Sequence, residues 1–113
     1  MTANQILTML KVNLGLTSTA YDQRLSMLIE TAREEITREG ITIAEQPEAP
    51  DANLLVMYAD WLWRKRDSGE GMPRMLRYAL NNRLFQEKIA GTNPQPEEGQ
   101  GFLMFKEGGA GDA

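Results

Sequence analysis

Neither cysteine nor histidine occurs among the 113 residues of the chain. The first absence removes disulfides, thiolate metal sites and cysteine nucleophiles, and the second removes the commonest general base and the commonest metal ligand. Long apolar runs are missing too: nothing approaches the roughly 18 consecutive residues that mark a membrane-spanning helix. The opening stretch "MTANQILTML" lacks the basic region and cleavage site of a secretory signal, so a cytoplasmic start is the default. There is no P-loop, no GxGxxG, no EF-hand spacing and no HExxH element. What remains for chemistry is thin. Glu34 and Glu35 fall on the polar face of an amphipathic segment, and Ser26 and Ser68 have no histidine to activate them. No catalytic, cofactor-binding or metal-binding residues are expected.

Hydrophobic content of 42% in a chain of this length suits one domain with one modest core. Punctuation divides it into four helical segments. Residues 3–14 carry Ile6, Leu7, Leu10 and Leu14 at helical spacing, with Thr2 and Gln5 placed as a capping box and Gly15 as a stop. The next segment offers Thr17, Ser18 or Thr19 as N-cap. It spaces Tyr21, Leu25, Leu28, Ile29, Ala32 and Ile36 along one stripe, and closes at Gly40. Its charge run "REEITRE" reads as a solvated face. Residues 41–50, "ITIAEQPEAP", read as an extended connection because of two prolines.

From Asp51, expected as N-cap, "DANLLVMYADWLWRKRD" is apolar on more than one face and therefore needs cover on more than one face. After "SGEG", Pro73 is expected in the first turn of a fourth helix that repeats Leu76, Leu80 and Leu84 and ends at Gly91. The short link between these two helices predicts a hairpin. The fold class is all-α: a four-helix domain over residues 1–91, then a tail over 92–113 rich in Gly, Pro and acid. Inside that tail lies "FLMF", Phe102, Leu103, Met104 and Phe105. Two readings are open for it: folding back on its own domain, with the option of a short strand beside "ITI", or docking as an arm on a neighbouring subunit or partner.

Charge is distributed unevenly. Between Trp61 and Ala90, seven basic residues face three acids, giving +4, whereas the remainder holds five basic and thirteen acidic residues, giving −8. The two tryptophans in "DWLWRKRDSG" point about 200° apart on a helix. Trp61 shares a side with Leu54, Tyr58 and Leu62 and is expected inward. Trp63, on another side, is a candidate contact anchor, with Arg64 and Arg66 near it to pair with acids of a neighbouring copy. A basic surface meeting a different, acidic surface gives head-to-tail association, which closes into a ring where the rotation permits. The rival reading is a small DNA-binding regulator using helix 73–89, with Arg74, Arg77, Asn81 and Lys88 in helical register. A pI near 4.8 and the lack of a basic arm count against it. A third reading is an adaptor that binds one partner through FLMF.

The block "LLVMYADWLWRKRDSGEGMPRMLRYALNNRLFQEKI", residues 54–89, preceded by "DQRLSMLIETAREEI", resembles the small head-tail connector (adaptor, or head-completion) proteins of tailed bacteriophages and prophages. The likeness spans roughly residues 3–90 and is carried chiefly by "WLWRKR" and "MPRMLRYALNNRL". It implies a virion subunit at the head-tail junction, assembled in the bacterial cytoplasm, that forms a ring of about twelve copies beneath the portal. It implies contacts with the portal protein and with a tail-side completion or stopper protein, no catalysis and no cofactor. DNA would pass through the channel without sequence-specific binding, and no membrane is involved. The motif residues that match are Trp61, Trp63, Arg64, Arg66, Arg74 and Arg77. An acidic subunit suits such a channel, since each phosphate held by Lys or Arg would resist sliding.

Overall fold

The computed structural model describes residues 1–92, and among them all regular secondary structure is helical. Four helices follow one another: α1 (Ala3–Leu14), α2 (Asp22–Arg38), α3 (Ala49–Ser68) and α4 (Arg74–Thr92). The FLMF segment, and with it any strand beside "ITI", lies outside the described residues.

Helix α1 starts and stops as its sequence dictates. The Thr2 side chain accepts from the Gln5 amide, the Gln5 side chain accepts from the Thr2 amide, and Gly15 takes the left-handed conformation at the other end. The start of α2 differs from expectation. It begins at Asp22 with Tyr21 in the cap position and no side-chain cap. Ser18 is instead spent on the preceding turn, where its hydroxyl accepts from the Ala20 amide.

Helix α3 also departs from expectation at its start. It begins two residues before Asp51, with Glu48 at the cap and Pro50 inside the first turn. A proline there costs little, because the first amides of a helix have no intrahelical acceptor to lose. Asp51 is thereby released from capping and accepts two bonds from Arg83. Helix α4 starts just after Pro73, whose carbonyl accepts from the Arg77 amide, and continues through Gly91 to Thr92.

The broad apolar arc of α3 is explained by its central position: it packs against α1, α2 and α4, most extensively against α2. Ala52, Leu54, Leu55, Val56, Tyr58 and Ala59 are all buried. They meet Ile6 and Leu10 of α1, Leu25, Ile29, Ala32 and Ile36 of α2, and Leu76 and Leu80 of α4 in a single core. Each fully buried Leu or Ile contributes about 1.5–3 kcal/mol of transfer free energy. The segment between α2 and α3 is held down by Ile41 and Pro47, both buried. Arg33 secures it further by donating to the carbonyls of Ile43, Ala44 and Glu45.

Helices α3 and α4 form the expected antiparallel hairpin. Asp51 at the start of α3 meets Arg83 midway along α4, while Trp61, Arg64 and Glu70 border one groove with Pro73, Met75 and Leu76. Gly69 caps α3 in the left-handed conformation and donates to the Lys65 carbonyl.

Candidate functional site

The residues singled out from the sequence gather on the last two turns of α3 and along α4. Both tryptophans are half-buried and rest on the edge of the core. Trp61 had been expected in the interior. It sits near the end of α3, edge-on to Tyr58, and its indole N–H donates to the Glu70 carbonyl at 3.3 Å across the turn. A fully buried indole would need such an acceptor inside the core. Trp63 faces another side, as its helical phase requires, and meets Tyr21 edge-on at 5.5 Å between ring centroids.

Each ring carries a cation. Lys65 lies 4.5 Å from the Trp61 centroid and Arg66 4.1 Å from that of Trp63. Both charges also fall in the final turn of α3, where they oppose the partial negative charge of the helix end. Arg64 pairs with Asp60 one turn earlier on the same helix, and Asp60 also accepts from Asn13 of α1. Arg64 and Arg66 remain exposed.

On α4 the basic residues divide. Arg77 grips Glu39 at the end of α2 through two bonds of 2.9 and 3.1 Å and reaches Asn81 on its own helix. Its guanidinium is held above its ordinary pKa chiefly by the hydrogen bond to Glu39. Arg83 forms a denser knot, bonding both oxygens of Asp51, Glu87 and the Thr42 carbonyl. The Asp51 bond is the main cause of its raised pKa. Arg74 is exposed at the start of α4. Below Arg77, Tyr58 is buried, and desolvation followed by the nearby Glu35 and Glu39 charges pushes its phenol pKa up. The structure thus assigns much of the basic block to acids within the chain. Only the i,i+4 pair of Arg83 with Glu87 was readable in sequence, because Asp51 and Thr42 lie 32 and 41 positions away.

Glu87 closes that knot, and its carboxyl is held below the usual range by hydrogen bonds to Thr42 and by Arg83. A depressed carboxylate binds fewer protons folded than unfolded, so it stabilises above its unfolded pKa and loses that contribution as pH falls through the folded value. In urea unfolding the Glu87 contribution should therefore be constant from neutral pH down to about 5 and decline below the unfolded glutamate pKa of about 4.3. In Glu87→Gln the decline below that point should be shallower. An unchanged acid limb would show that Glu87 is not coupled to folding.

A second set of residues, outside the Leu76, Leu80 and Leu84 stripe, is prominent here. Met75, Tyr78 and Phe85 of α4 are 76%, 60% and 64% exposed. With Asn82 between them they fall on one row of the helix, opposite the buried Leu76 and Leu80. Among the described residues, no three Asp, Glu, His or Cys side chains converge to hold a metal ion, and no helix is long and apolar enough to cross a membrane. The FLMF residues Phe102, Leu103, Met104 and Phe105, predicted as contact residues, lie outside the described residues. No protein-family model, curated protein or solved structure matches the chain.

Proposed function

We propose that the chain is a non-enzymatic head-tail connector subunit of a tailed phage, a ring-forming adaptor that extends the portal channel and offers the tail a platform. The resemblance of residues 54–89 to such proteins motivates the reading. The observation that carries it is the exposed face of the α3–α4 hairpin, where large apolar side chains stand beside cations: Met75, Tyr78 and Phe85 next to Arg74, with Arg64 and Arg66 at the hairpin's end. Aromatic, methionine and arginine side chains are enriched where protein surfaces meet. The contact residues of this reading are Trp63, Arg64, Arg66 and Arg74, with Arg77 acting from within through its grip on Glu39.

The rival DNA-reading helix is disfavoured by the same geometry. Arg77, central to that face, is committed to Glu39 and Asn81. Light scattering after size-exclusion chromatography, at several salt concentrations and with and without a portal ring, separates the two. The connector reading expects rings of about twelve copies, or a monomer that joins only a portal. Arg64→Glu with Arg74→Glu should weaken that assembly at least about tenfold, the scale of a single contact residue. A strict monomer, indifferent to portals and binding duplex DNA in a salt-sensitive way, would sink the proposal.

A further inference from the structure

We propose that the FLMF segment of the same chain docks in cis on the exposed row of α4 formed by Met75, Tyr78 and Phe85. Three large side chains, each more than half exposed on one helix face, make a surface that a soluble monomer rarely leaves uncovered. The occupant is identified by charge, reach and the exclusion of a second α4.

Charge comes first. Of the cations of α4, Arg77 is paired with Glu39 and Arg83 with Asp51 and Glu87, while Arg74 and Lys88 stand beside the row near its two ends. Residues 93–113 carry Glu97, Glu98, Glu107 and Asp112 against Lys106, four acids to one cation and a net −3. Three of those acids lie within five positions of FLMF, so an apolar tetrad with acidic flanks meets an apolar row bordered on one side by Arg74 and Lys88.

A second copy of α4 fits the row less well. Treated as a seam, the row has Arg74, Asn81 and Lys88 on one flank and Ala79 and Gln86 on the other. Antiparallel pairing would set Arg74 against Lys88, and parallel pairing would set Arg74 against Ala79 and Asn81 against Gln86. Neither arrangement supplies an acid.

Reach is sufficient. Nine residues lie between Thr92 and Phe102, ten Cα steps in all, and an extended chain of that length spans at most about 33–36 Å. Along the helix, Phe85 lies about 10 Å and Met75 about 26 Å back from Thr92, at 1.5 Å per residue. The stretch "NPQPEEGQG" has the proline and glycine content that chain reversals use. A tether this short gives an effective concentration on the order of millimolar, so at about 10 μM protein the cis contact is favoured over a neighbour's tail by about 100-fold. The arm is thus parked on its own subunit until an assembly raises the local concentration of alternatives. The inference does not depend on the connector reading.

The absence of cysteine makes the test clean. Asn82→Cys with Lys106→Cys places one thiol in the row and one beside Phe105 without touching the apolar contacts. Under mild oxidation the doubly substituted full-length chain should close an intrachain disulfide. The rate should fall by about tenfold or more when Phe102→Ser and Phe105→Ser are added, because a bare tether keeps only its effective concentration. All the tail substitutions lie outside the four helices, and circular dichroism confirms that the fold is kept. A rate unaffected by the serine substitutions overturns the proposal, as does a predominance of interchain dimers at that protein concentration. A slower closure that is restored by Phe102→Leu and Phe105→Leu supports apolar docking.

Discussion

Leu80→Ala should lower the free energy of unfolding by about 2–5 kcal/mol, the range for truncating a buried leucine whose surroundings only partly collapse. Leu80 is completely buried in the middle of α4 and, with Leu76, is the apolar attachment of that helix to the core. Ala79 and Leu84 add half-buried packing, and the polar ties of α4 lie at the edge: Arg77 to Glu39, and Arg83 to Asp51, Glu87 and Thr42. Such part-exposed pairs contribute about 1 kcal/mol or less each. They fix register without replacing the lost packing. Urea titration followed by circular dichroism measures the change, and a loss below about 1 kcal/mol would mean that the cavity collapses. The same truncation at Leu84, only half-buried, should cost less.

The second large effect lies at Gly40, the residue after the C-cap of α2. Its φ of +104° falls outside the narrow left-handed basin tolerated by other residues, and a Cβ built there would stand 3.3 Å from Leu84 Cδ1. The leucine tip can give by a few tenths of an ångström, so backbone strain dominates. Gly40→Ala should cost about 1–3 kcal/mol. Gly69→Ala is the internal comparison. Its φ of +68° is an ordinary left-handed value with nothing within 4 Å of the added carbon, and about 1 kcal/mol is expected. If the two variants melt together, the special geometry at Gly40 has no energetic consequence.

Helix existence and order were legible because the local signals agreed. The Thr2–Gln5 box, Gly15, the stripe of α2, the two-sided apolar arc of α3 and the break at "SGEG" each specify one outcome. Starts were less legible where a cap candidate had a better use elsewhere. Ser18 serves a turn and Asp51 serves Arg83. Only the folded arrangement reveals that competition. Helical phase correctly separated the two tryptophans but placed Trp61 too deep, since periodicity reports direction and not distance along the bundle axis.

The charge ledger had the same limit. It counted a positive block and left its partners open, whereas the fold turns Arg77 and Arg83 toward acids of α2 and α3. The row of Met75, Tyr78 and Phe85 was hidden for a related reason. Leu76, Leu80 and Leu84 already supply the core stripe, and periodicity does not say whether a second apolar side is covered.

The cation-capped tryptophans give the molecule two optical channels of different origin. Trp61 is tied to the turn between α3 and α4 through Glu70, while Trp63 touches Tyr21 at the entrance to α2. Their emission therefore reports on different joints. With Trp61→Phe the surviving fluorophore watches the α1–α2 connection, and with Trp63→Phe it watches the hairpin turn. Opening of either joint can thus be followed in the intact chain without an attached dye.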